Sequence, residues 1–107
     1  MALTRNFKET VLARAQSDAT FSQELLNEAA TLFLNGEPEI AKQILRELVN
    51  ATVGFEELAV TIHKPSKSLH RMLSKHGNPT MQSLSRIFAA LAKTLHVDIK
   101  IHVVQHI

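Results

Sequence analysis

A chain of 107 residues, 45% hydrophobic and 21% charged, has the length and make-up of one folded domain around one core, which excludes a disordered polymer. It has no cysteine, so a disulfide framework, a thiol nucleophile and a thiolate metal site are excluded with it. Net charge is only +2, yet it is unevenly placed: residues 1–50 hold five Lys/Arg against seven Asp/Glu, whereas residues 51–107 hold seven against three.

The opening stretch MALTRNFKET lacks the apolar core of a signal peptide, and no apolar run approaches the roughly twenty residues of a membrane span. A cytoplasmic location with no membrane contact is therefore expected. Thr4 is placed to cap a first helix, with Phe7, Val11 and Leu12 on its buried side. That pattern fades near Ser17 and Asp18. Thr20 and Gln23 have the spacing of a capping box, and Leu25, Leu26, Ala29, Leu32 and Phe33 give the buried stripe of the next helix. Asn35-Gly36 ends it, since glycine accepts the left-handed backbone found past a helix C-terminus. Pro38 restarts a helix at a first-turn position, and Ile40, Ile44, Leu45 and Leu48 form its apolar side. Asn50 to Gly54 is the next break, with Gly54 as the N-cap of another helix.

The stretch FEELAVTIHKPSKSLHRM, Phe55 to Met72, reads as a helix-turn-helix, in which the second of two short helices lies in the DNA major groove. Leu58 and the small Ala59 sit inside the first helix, Ile62 closes it, and Leu69 and Met72 are spaced to pack back onto it. Lys64, Ser66, Lys67, His70 and Arg71 are left facing outward, donors and cations of the kind that meet phosphates and base edges. The second helix is expected to run on to Ser74 or Lys75. Between Ile62 and Lys93 stand Lys64, Lys67, Arg71, Lys75, Arg86 and Lys93 with no acid among them, an electrostatic footprint for phosphate. Gly77-Asn78-Pro79 is a turn, and Thr80 caps a helix whose apolar side is Met81, Leu84, Ile87, Phe88 and Leu91. Its N-terminus, with Thr80 and Asn78, is placed to meet a phosphate.

The period then changes from helical to alternating. Val97, Ile99, Ile101 and Val103 alternate with Asp98, Lys100 and His102, which reads as a strand with one apolar face. A lone strand on a helical domain has an unpaired edge, and pairing with the same strand of a second copy resolves it. A two-fold dimer also suits a pseudo-palindromic site, with its two reading helices roughly 34 Å apart. The alternative is a tail folded back on the N-terminal helices.

On these segments the chain resembles the HigA-like addiction-module antidote proteins, a branch of the lambda-repressor-like helix-turn-helix family. The resemblance runs from Phe21 to Val104, about four-fifths of the chain, through FSQELLNEAA, PEIAKQILRELVNA, ELAVTIHKPSKSLHRMLSKHGNPTMQSLSRIFAAL and the terminal strand. KSLHRMLSKHGNPTMQSL is its most telling part. The resemblance implies a mainly α, lambda-repressor-like helix-turn-helix bundle of about five to six helices with a C-terminal β-strand. It divides the chain into an N-terminal helical extension (1–36), a helix-turn-helix DNA-binding domain (37–95) and a dimerising C-terminal strand (96–107). It implies a homodimeric repressor that binds double-stranded operator DNA of its own operon, with a cognate toxin protein as a further partner. Carried over position by position, Ser66, Lys67, His70 and Arg71 would read bases, and Lys64, Lys75, Asn78 and Thr80 would contact the DNA backbone. The chain departs from the family at three places. His63 stands where glycine is usual in the turn, Phe55-Glu56-Glu57 stands where a polar residue opens the first helix, and Pro65 removes a backbone donor at the start of the second.

In physical terms Arg71 can form a bidentate pair with a guanine edge, Lys67 can approach the same acceptors as a point charge, and Ser66 can donate or accept. An enzyme reading finds no support. The chain has six histidines, but His102 and His106 lie in the strand or tail, and His63, His70 and His76 are spread over a turn, a helix and a loop. No nucleophile elbow or glycine-rich phosphate loop appears, so no catalytic, metal or cofactor residue is expected. Two other readings stay open beside the antitoxin-type regulator. One is a stand-alone, prophage-type regulator. The other is a protein–protein interaction module with weak DNA binding, which the acidic first half would suit.

Overall fold

The computed structural model describes residues 9–10 and 18–107. The helix expected over Thr4, Phe7, Val11 and Leu12 lies outside the described residues. From Asp18 onward the chain is mainly helical, in the order α1 (Ala19–Leu34), α2 (Pro38–Ala51), α3 (Phe55–Ile62), α4 (Ser66–Met72) and α5 (Met81–Leu95). None of these helices is long and apolar enough to cross a membrane.

Helix α1 begins two residues earlier than the Thr20–Gln23 spacing predicts. Asp18 is the N-cap, and its Oδ1 accepts the Phe21 N–H at 3.2 Å. A carboxylate is a stronger acceptor than a hydroxyl and is favoured by the positive end of the helix dipole, so Asp18 takes the role from Thr20. At the other end Gly36 is left-handed (φ +82°), the Glu37 N–H reaches Leu32 O at 2.9 Å, and Gly36 N–H reaches Phe33 O. This closure satisfies carbonyls that the helix end leaves open. Pro38 then opens α2 in its first turn, as the sequence predicts.

One apolar core joins all five helices. Leu26 and Ala29 of α1, Leu45, Leu48 and Val49 of α2, Leu58 of α3, Leu69 and Leu73 at α4, and Ile87 and Leu91 of α5 are all essentially inaccessible. Helix α1 packs mainly on α2 and also on α5, while α3 packs on α4 and α5. Phe33 of α1 meets Phe88 of α5 edge to face, ring centres 5.9 Å apart. Each buried leucine contributes about 2–3 kcal/mol by removal of apolar surface from water.

Two apolar assignments shift. Leu73, not Met72, is the second anchor of α4: Leu69 and Leu73 are both fully buried at i, i+4, and Met72 is only half-buried. Met81 is 70% exposed, because it sits in the first turn of α5, ahead of the stretch where Leu84, Ile87 and Leu91 line the core.

The C-terminal β-strand expected over residues 96–104 is not formed among the described residues. The alternation behind that expectation survives only over residues 97–100, and Ile101 and Val103 are exposed like their polar neighbours. Val97 and Ile99 pack against the core, while Asp98 and Lys100 are exposed. A strand needs a partner backbone, and the last backbone–backbone bond of the described chain is Val97 N–H to Ala92 O at 2.9 Å.

Candidate nucleic-acid interface

Helices α3 and α4 are joined by His63, Lys64 and Pro65. Gly54 opens α3 with φ +81°, in agreement with its expected N-cap place. His63 closes the helix in the left-handed region (φ 58°, ψ 44°). The Lys64 N–H donates to Ala59 O at 3.0 Å and the His63 N–H to Val60 O at 3.3 Å, the same closure that Gly36 makes after α1. The backbone thus takes the conformation that glycine favours, and it does so with a histidine. Pro65 is extended (φ −63°, ψ 142°) and hands the chain to α4, whose early turns close through Ser68 N–H and Leu69 N–H on Pro65 O.

Helix α4 ends at Met72, short of the expected Ser74 or Lys75. Two cations of α2 hold the chain where it turns. The Arg46 guanidinium donates to Leu73 O at 2.7 Å, and Lys42 Nζ donates to Lys75 O at 3.1 Å and Gly77 O at 2.6 Å. Carbonyls that the helix end and the turn after it leave open are taken from behind. Lys42 is only 2% exposed, and its third direction meets Glu39 Oε1 at 3.3 Å. Gly77 completes the turn: a Cβ there would overlap the carbonyls of Arg71 and Met72, so the chain passes against the end of α4 only because residue 77 has no side chain.

Lys42 and Arg46 are the site-forming residues that sequence reasoning missed. A trace of them was present. Lys42 lies at i, i+3 and i+7 with Leu45 and Val49, so it is a cation on a buried stripe and must find acceptors. Their work is to fix α4 and the turn after it, at the negative end of a short helix dipole.

The predicted contact residues fall into two groups. Lys67, His70 and Arg71 are exposed on the outer side of α4, Ser66 is half-buried at its start, and exposed Lys64 and Lys75 flank it in sequence. Lys67 and Arg71 are four apart, hence on one face. Asn78 and Thr80 are exposed on the approach to α5 and are not part of the α4 face.

Two of these side chains already have work within the fold. His70 stacks on Phe55, ring centres 4.0 Å apart and planes 16° from parallel, which helps to cover the first residue of α3. Thr80 caps α5: its Oγ1 accepts the Ser83 N–H at 3.1 Å and donates its proton to Ser83 Oγ at 3.1 Å. Glu56 and Glu57 are exposed in the first turn of α3, where the helix dipole favours carboxylates. Among the described residues no three His, Asp or Glu side chains gather into a group able to hold a metal ion. Three histidines have structural places instead, His63 and His96 as left-handed helix closures and His70 on Phe55.

No protein-family model, no curated protein and no solved structure matches this chain.

Proposed function

We propose that this chain is a cytoplasmic, homodimeric, sequence-specific DNA-binding regulator of the antitoxin type, which represses its own operon and has a toxin protein as a further partner. In this reading α3 and α4 act as a helix-turn-helix, and α4 enters the major groove of the operator. The observation that carries it is the pairing of an outer face and an inner clamp. Lys67 and Arg71 are exposed on a short helix, while Lys42 and Arg46 hold the carbonyls at its inner end. Cations free to meet a nucleic acid stand on a backbone that is fixed in place.

Each residue then has a defined task. Arg71 pairs with a guanine edge and Lys67 with the same class of acceptors, while Lys64 and Lys75 neutralise phosphates on either side. Ser66 contributes a hydroxyl, and His70 presents the edge of a ring whose face is held by Phe55. Asn78 and the N-terminus of α5 behind Thr80 lie toward the DNA backbone. The C-terminal segment is the strand that joins two copies.

The interaction-module reading has one observation of its own. Glu24 and Glu28 are exposed four residues apart on α1, an acidic face suited to a basic protein. A titration of the purified chain on its own upstream DNA, against random DNA at two salt concentrations, separates the readings. The proposal expects tighter binding to upstream DNA, steep weakening by salt and a further loss with Arg71→Ala. Equal binding to both DNAs would transfer the weight to the protein-partner reading.

A further inference from the structure

We infer that residues 97–101 pair antiparallel with the same residues of a second copy, in the register that sets Asp98 opposite Lys100 and Ile99 opposite itself. This rests on the homodimer of the proposed function and states how it is built. After the Val97 N–H bond to Ala92 O, no backbone–backbone hydrogen bond is made by residues 98–107 to the described chain. The segment nevertheless has a defined orientation, with Val97 and Ile99 against the core and Asp98 and Lys100 exposed. An oriented stretch whose N–H and C=O groups make no backbone bond among the described residues is an edge that recruits another backbone.

Charge selects the register. In a two-fold antiparallel pair the axis passes through one residue or between two. An axis between residues sets an apolar side chain opposite a polar one, and the two apolar faces then point to opposite sides. An axis at Asp98 sets two carboxylates face to face, and one at Lys100 sets two ammonium groups face to face, both unfavourable. An axis at Ile101 brings Lys100 opposite His102. Only an axis at Ile99 makes two Asp98–Lys100 pairs, with Val97 opposite Ile101 on the apolar face.

Shape agrees with charge. Beside Val97–Ile99, the small side chains of Ala89 and Ala92 and the stem of Lys93 leave an open trough of about 470 Å³. In this register Ile101 of the second copy lies opposite Val97, which lines that trough. Within one copy Ile101 is 49% exposed, so it gains cover in the pair.

The chain has no cysteine, which permits a direct test on all 107 residues. Residues facing themselves across an antiparallel pair have Cα atoms about 4.5–5.5 Å apart, within disulfide reach. Under mild oxidation Ile99→Cys is expected to form a disulfide-linked dimer, and Val97→Cys and Ile101→Cys, which do not face themselves, to react about tenfold more slowly or less. Asp98→Lys and Lys100→Asp should each weaken the dimer about tenfold, and the two together should restore it to within about threefold. The pairing is overturned if sedimentation shows a monomer at tens of micromolar, if Ile101→Cys cross-links fastest, or if Lys100→Asp tightens the dimer. DNA binding is read separately. A monomer that still selects its upstream DNA sinks the pairing and leaves the regulator standing, whereas this cross-link pattern in a chain with no DNA preference keeps the pairing and sinks the regulator.

Discussion

Helices α3 and α5 end in the same way, at a left-handed histidine, yet the segments beyond them could hardly differ more. At His63 and at His96 the backbone has φ 58°, and the next N–H folds back to a carbonyl five residues earlier, Lys64 to Ala59 and Val97 to Ala92. The chain beyond His63 is then taken up at once. It becomes α4, is anchored by Leu69 and Leu73, and is clamped by Lys42 and Arg46. The chain beyond His96 touches the core through Val97 and Ile99 and forms no further backbone pair in the described chain. One local device thus serves two ends. The closure sets only a direction, and the acceptors and apolar surface waiting for the next ten or so residues decide whether a fixed element or an open edge results.

Three kinds of substitution test that contrast. Gly77→Ala should have the largest effect. Its Cβ meets backbone rather than a flexible side chain, so the turn must move away from α4, at about 3 kcal/mol in urea unfolding. Lys42→Met comes next. It keeps the apolar stem and strips the donors from Lys75 O and Gly77 O, at a cost of about 2 kcal/mol, and hydrogen exchange should rise in residues 73–77 and not in 97–107. The smallest effects are His63→Gly and His96→Gly, each expected to stabilise by about 0.5–1 kcal/mol, because glycine adopts the left-handed backbone without the Cβ penalty. Equal gains at both positions would show that the two closures are equivalent and that the contrast lies in the segments after them. A loss at His63 alone would show that its imidazole has work the backbone geometry does not reveal.

Much of this fold is legible in the amino-acid sequence. The apolar spacing locates α2, α3 and α5, and Gly36, Pro38, Gly54 and Thr80 mark helix ends because each has a local reason to be there. The features that escape the sequence are non-local. The clamp on α4 comes from Lys42 and Arg46, 27 to 35 residues away in sequence, and no period reports it. The end of α4 is placed too late because the turn through Gly77 packs against that end, a contact that helical spacing does not report. Leu73 and Met72 are ranked wrongly because a seven-residue helix shows too little of its period to fix the buried face. Of the candidate contacts, the outward placement of Lys67 and Arg71 follows from local spacing, whereas the stacking of His70 on Phe55 depends on how α3 and α4 cross. The alternation after His96 is real only over residues 97–100, and a strand is a property of two backbones, of which one sequence holds only one.

If α4 is a fixed framework carrying the reading face proposed above, the double variant Lys67→Ala/Arg71→Ala should separate the two properties. Both side chains are exposed and neither clamps the helix, so the unfolding midpoint should stay where it is. Affinity for the upstream DNA should fall on the order of a hundredfold, because the guanine-reading pair proposed for Arg71 and its neighbouring cation would both be lost. An unchanged unfolding midpoint together with unchanged DNA affinity would contradict the claim, since the face assigned to the DNA would then have no part in binding it.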